Sequence, residues 1–142
     1  MKKRILLVED DYACLQSLAH VLIAENYVPL LAKNGHNALE IVVSAPVDLV
    51  IMDINPPVDE ATQTFGALSS DYPLLPIIVI TAAQAQIPTF ISAIAGALVE
   101  KPLDPAKLLQ IIEQLLNEPP ESRLAWVADK RVQFRSFTVA AR

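Results

Sequence analysis

Ile5-Leu6-Leu7-Val8, followed at once by Glu9-Asp10-Asp11, is the stretch whose reading decides the fold. Four consecutive apolar residues without polar alternation suit a strand covered on both faces, the kind found in parallel sheets flanked by helices. Outward from it the same grammar repeats. Residues 12–25 place Leu15, Leu18, Ala19, Leu22 and Ile23 at three- and four-residue steps, which predicts an amphipathic helix. Residues 27–32 read as a second strand. Asn34-Gly35 is a turn signal, after which Ala38, Leu39, Ile41 and Val42 recur at helical spacing up to Pro46. Residues 47–52 and 76–80 are the third and fourth strands, separated by a weaker helix over 59–70 that lines up Ala61, Phe65 and Leu68. A helix over 88–96 and a short strand over 97–99 follow. Asp104-Pro105 then opens a last helix as N-cap and first-turn proline. Strand–helix repeats of this kind predict an α/β fold, a parallel sheet with helices on both faces, because parallel neighbours need crossover connections.

A chain of 142 residues fits one domain. Its 53% hydrophobic and 19% charged residues exceed and undercut the norms of about 45–50% and about 25%, which excludes disorder for the bulk of it. A net charge of −5 argues against a phosphate-backbone grip on nucleic acid. The acidity is uneven: residues 1–117 carry the excess of carboxylates, whereas residues 118–142 hold five basic and three acidic side chains. A domain over 1–117 is therefore expected, with 118–142 as a linker, starting Glu118-Pro119-Pro120, and an extension that holds no recognisable output domain. Within that extension residues 131–140 partly alternate and could add as a strand to an edge or a partner. The single cysteine, Cys14, excludes an internal disulfide and reads as a small apolar residue on a buried helix face. Met1-Lys2-Lys3-Arg4 precedes only four apolar residues, too few for a signal sequence, so a cytoplasmic location is expected. Residues 72–99 carry no charge, but three prolines and two glutamines divide them into pieces too short for a membrane span.

In such sheets ligands bind at the carboxyl ends of the strands. The polar residues there are Glu9, Asp10 and Asp11 after the first strand, Asp53 after the third, Thr81 after the fourth and Lys101 after the fifth. Clustered carboxylates repel one another, and a divalent cation with a preference for hard oxygen ligands, Mg²⁺, removes that penalty. Lys101 and the Thr81 hydroxyl are the complementary donors for a phosphoryl group. An aspartate between a metal and an ammonium is then a plausible phosphoryl acceptor. Taken singly, Asp10 or Asp11 could cap a helix, Asp53 could start a turn, Thr81 could end a strand and Lys101 could be a solvated lysine. All four at one edge in this order are hard to explain that way.

At this point the sequence resembles the receiver domains of two-component response regulators. The resemblance covers residues 3 to about 117 and rests on Ile5-Leu6-Leu7-Val8-Glu9-Asp10-Asp11, on Val50-Ile51-Met52-Asp53 with Pro57 four residues on, on Ile78-Val79-Ile80-Thr81-Ala82 and on Glu100-Lys101-Pro102. It implies a flavodoxin-like, doubly wound five-stranded parallel sheet, (βα)5. It implies that Asp53 is the phosphoacceptor, that Glu9, Asp10, Asp53 and the backbone carbonyl of Asn55 surround Mg²⁺, and that Thr81 and Lys101 bind the phosphoryl group, with Lys101-Pro102 cis. The donor would be a phosphohistidine on a sensor histidine kinase or phosphotransfer protein, and the chain a signalling switch, not a metabolic enzyme.

Three positions depart from the pattern that the resemblance implies. Leu98 stands where the family usually carries an aromatic switch residue, the stretch from Thr81 to Lys101 is a couple of residues short, and Ala61 stands where a glycine often follows the phosphorylation loop. A degenerate receiver acting as a phosphorylation-independent interaction or dimerisation module is the alternative, favoured by Leu98. A third reading, a Mg²⁺-dependent phosphohydrolase, lacks the added acid or base and the cap it would need. The charge-free helix over 88–96 is expected to present an apolar patch, with the fifth strand and fifth helix, to a partner or a second copy. Membrane attachment and direct DNA binding are not expected.

Overall fold

The computed structural model describes residues 1–125 and 128–129. Five strands, β1 (Arg4–Val8), β2 (Val28–Ala32), β3 (Leu49–Asp53), β4 (Ile77–Thr81) and β5 (Ala97–Glu100), alternate with helices α1 (Tyr12–Ala24), α2 (Gly35–Ser44), α3 (Asp59–Asp71), α4 (Thr89–Ile94) and α5 (Pro105–Leu116). They form one parallel sheet in the order β2-β1-β3-β4-β5, the flavodoxin-like order, which reverses direction between β1 and β3.

The apolar runs alternate across the sheet and so feed two cores. Leu6, Val8, Val50, Met52, Ile77 and Val79 point to the side covered by α2, α3 and α4. Ile5, Leu7, Leu49, Ile51, Ile78 and Ile80 point to the side covered by α1 and α5, where they meet Leu15, Leu22, Leu108 and Ile112. At the amino ends of the strands the Asp48 carboxylate accepts from the Arg4 N–H at 2.8 Å and fixes the start of β1 beside β3. Asp104 caps α5 as expected, accepting from Ala106 N–H at 3.0 Å.

Two segments differ from the sequence reading. The fourth helix is only six residues long, because the Gly96 N–H donates to the Ile77 carbonyl at 2.8 Å and draws the chain into the sheet. Its apolar side chains turn inward: Ile91 and Ile94 are buried, and Phe90 is half-buried with its ring edge-on to Phe65 at 5.9 Å, leaving Thr89 and Ser92 exposed. The charge-free helix thus covers the core and offers little apolar surface of its own. Residues 120–125, which read as the end of the linker and the start of the extension, are helical, with Pro119 and Pro120 at the start, where a missing N–H is tolerated. Arg123 there is buried and, with Asp48, Leu115 and Glu118, lines a cavity of about 220 Å³. The strand expected over 131–140 lies outside the described residues. No described helix is long and apolar enough to cross a membrane.

Gly35 opens α2 against α3, and a Cβ there would overlap the Thr64 hydroxyl. Thr64 is buried and its hydroxyl donates to the Glu60 carbonyl. Overpacking of this kind costs about 1–3 kcal/mol. Gly35→Ala is therefore expected to lower stability by about that amount in urea unfolding, and Thr64→Ala in the same chain to restore part of it.

Candidate functional site

The register of β1 and β3 builds the site. Val8 pairs with Met52, so Glu9 and Asp53 leave the two strands side by side. The Glu9 N–H is held by the Ala32 carbonyl at 3.0 Å. Asp11 turns away from the site: its Oδ1 accepts from the N–H groups of Ala13 at 2.9 Å and Cys14 at 3.3 Å and caps α1. Of the three consecutive acids, then, Asp11 is the helix cap, Glu9 is buried and Asp10 is exposed at the rim. Glu9, Asp10, Asp53 and Asn55 line one cavity of about 270 Å³, which Lys33 and Glu60 border farther out.

β4 and β5 bring the remaining groups. Thr81, at the tip of β4, is fully buried and its hydroxyl oxygen accepts from the Ala83 N–H at 3.0 Å, which leaves the O–H to donate. The Lys101 N–H donates to the Thr81 carbonyl at 2.9 Å, and the Lys101-Pro102 peptide is cis. From there the Lys101 ammonium reaches Asp53 Oδ2 at 2.7 Å, with the Asp53 side chain only 3% exposed.

Each buried carboxylate keeps one oxygen in reserve. Glu9 Oε1 accepts from the Asp11 N–H at 3.0 Å, while Glu9 Oε2 and Asp53 Oδ1 are buried with no donor from any other described residue, leaving them only the proton that the two carboxyls can share. Burial first, and then the adjoining Asp53 carboxylate, push the Glu9 carboxyl from its usual 4.5 up to about 8, against the opposing pull of the Asp11 N–H. Burial alone would lower the Lys101 ammonium, but the hydrogen bond to Asp53 and its charge outweigh that and raise it. A pair of hard oxygens lacking donors in a negatively charged recess fits a divalent cation such as Mg²⁺, with Asp10 at the rim able to contribute.

Sequence reasoning missed one neighbour. Cys14 is half-buried, and its sulfur, a Glu9 oxygen and an Asp53 oxygen lie within 4.8 Å of one another. Burial, followed by the negative charge of Glu9 and Asp53, raises its thiol. The signal was its place three residues past the Asp11 cap, because side chains in a first helical turn lean back toward the helix N-terminus and so toward the strand tips.

Residues 5–113 match the family described as the response regulator receiver domain. Among curated proteins the chain is 31% identical over 117 residues to the transcriptional regulatory protein GlrR of Escherichia coli (strain K12), covering 80% of this chain and 26% of GlrR. It thus spans only about a quarter of that relative's length. Among solved structures it superposes on a CheY-like response regulator receiver domain protein from Methanospirillum hungatei JF-1 with a TM-score of 0.75 at 28% identity, over 86% of this chain and 98% of that one. Response regulator protein TrrA from Thermotoga maritima, solved in complex with Mg²⁺-BeF, gives a TM-score of 0.72 at 30% identity, over 80% and 98% of the two chains.

The raised Glu9 carboxyl makes stability depend on pH. Between 4.5 and about 8 the folded chain binds more protons at Glu9 than the unfolded chain does, so stability from this group falls as pH rises through that window. In EDTA the thermal midpoint is expected to drop from pH 5 to pH 8, and Glu9→Gln to flatten that slope.

Proposed function

The chain belongs to the response regulator receiver domain family, and from that premise we propose that it takes one phosphoryl group on Asp53 from a phosphohistidine of a sensor kinase or phosphotransfer protein. The observation that carries this reading is the division of labour on one buried carboxylate. Asp53 Oδ2 is matched by Lys101 at 2.7 Å, whereas Oδ1 has no donor from any other described residue, and Asp53 lines one cavity with Glu9 and Asp10.

A carboxylate oxygen of Asp53 attacks phosphorus, the bond from phosphorus to the donor's imidazole nitrogen breaks, and that nitrogen leaves with the electron pair. Most of the work is positioning and charge neutralisation. Lys101 holds the Asp53 side chain in one orientation before transfer and pairs with a phosphoryl oxygen after it. The buried Thr81 hydroxyl, anchored through Ala83, donates to another. Glu9, Asp10, Asp53 and the Asn55 carbonyl would hold Mg²⁺, which when bound neutralises charge on the incoming phosphoryl group. The Mg²⁺-BeF complex of the related TrrA supports that assignment.

Signalling follows as a shift between two populations of the α4, β5 and α5 surface, the surface through which self-association would occur. The domain so defined runs over residues 1–117 with 118–142 as an extension, and it works in the cytoplasm. The phosphorylation-independent module has only Leu98 in its favour, and the intact set Glu9, Asp10, Asp53, Thr81 and Lys101 weighs against it.

Incubation with a small phosphodonor and Mg²⁺ is expected to add one hydroxylamine-labile phosphoryl group by intact-mass measurement, and Asp53→Asn to abolish it. Lys101→Ala should leave the fold intact, slow the modification by about a hundred- to a thousandfold, and uncouple it from any change in oligomeric state. No mass gain in the unaltered chain would move the function to the phosphorylation-independent module.

A further inference from the structure

Cys14 adds sulfur to a site otherwise made of oxygen. Its thiol, a Glu9 oxygen and an Asp53 oxygen form a triangle with no side longer than 4.8 Å. The two carboxylates reach this triangle with capacity to spare. Glu9 Oε1 is taken by the Asp11 N–H and Asp53 Oδ2 by the Lys101 ammonium, whereas Glu9 Oε2 and Asp53 Oδ1 are buried with no donor from any other described residue. Glu9 is 95% buried by its 5% exposure, so its unsatisfied carboxylate oxygen lies away from solvent in the side chain that meets Cys14.

Ligand chemistry then decides which cation this face prefers. Oxygen-only sets suit Mg²⁺, which keeps several waters, whereas a thiolate shifts preference toward zinc-class cations that accept four ligands. Ligands of a tetrahedral zinc centre stand about 3.5 Å apart, given metal–sulfur and metal–oxygen distances of about 2.3 and 2.1 Å. Side-chain adjustments of roughly an ångström would close the triangle on such an ion. Water would be the fourth ligand, as in zinc sites that keep one position free.

We propose that Cys14, Glu9 and Asp53 form a mixed thiolate–carboxylate site for thiophilic divalent cations of the zinc class, and that filling it blocks Asp53. Binding releases the protons of the Cys14 thiol and the Glu9 carboxyl to solvent and engages the Asp53 oxygen that would otherwise meet phosphorus. The blocking half rests on Asp53 being the phosphoacceptor; the binding half does not.

The test uses the full chain and two readouts. Cd²⁺, a spectroscopic stand-in for Zn²⁺, is titrated while the sulfur-to-cadmium charge-transfer band is followed in the ultraviolet. One equivalent should develop the band, Zn²⁺ should remove it by displacement, and Cys14→Ser and Cys14→Ala, each checked for fold by circular dichroism, should lack it. Labelling by a small phosphodonor in excess Mg²⁺ is then measured against Zn²⁺, each chain normalised to its own zinc-free rate. Half-inhibition should need at least about tenfold more Zn²⁺ in the Cys14 variants, consistent with loss of one of three ligands. Absence of the band from the unaltered chain, or equal inhibition of all three chains, overturns the proposal. If the band forms but no chain is labelled, the phosphoacceptor reading fails and with it the blocking half, while the cation site stands. Labelling without a band has the opposite meaning.

Discussion

The structure depends on two carboxylates held side by side where they cannot escape each other. Parallel pairing of Val8 with Met52 delivers Glu9 and Asp53 from adjacent strand tips into one recess, and burial denies both the water that would screen them. Such a pair is tolerated only with compensation. The chain supplies half of it through Lys101, whose ammonium sits 2.7 Å from Asp53 Oδ2. Glu9 responds by holding its proton to about pH 8. Glu9 Oε2 and Asp53 Oδ1 keep no donor from any other described residue, and a divalent cation is the proposed partner that would complete the neutralisation.

The fold serves that constraint. β1, β3 and β4 are buried on both faces and so set the positions of their tips, and Lys101 is tied to β4 by its N–H on the Thr81 carbonyl. Asp11 removes itself from the cluster by capping α1, so three acids in a row become one cap, one buried carboxylate and one rim carboxylate. The same cap sets the first turn of α1 and brings the Cys14 sulfur to the carboxylates.

Most of this could be read from residue pattern. Continuous apolar runs and helical spacing identified β1–β5 and α1–α5, and the rule that sites lie at strand carboxyl ends selected Glu9, Asp10, Asp11, Asp53, Thr81 and Lys101, of which Asp11 proves to be the cap of α1. Two features were not legible. The absence of charge in residues 88–96 could mean either burial or an exposed patch, and only the early pairing of Gly96 with Ile77 shows that the helix is short and faces inward. Cys14 looked like core filling, because helical periodicity says which side of α1 is buried and not how near its first turn comes to β1 and β3. Composition likewise marked 118–122 as linker, although prolines also start helices, as they do before residues 120–125.

The central claim, that buried oxygens of Glu9 and Asp53 are there to be shared by a divalent cation, is most directly tested by calorimetric titration of Mg²⁺ into the unaltered chain, Glu9→Gln and Asp53→Asn at neutral pH. The account predicts one site in the unaltered chain, weakened about tenfold or more by either substitution because each removes a charged ligand. Equal Mg²⁺ affinity in all three chains would contradict it.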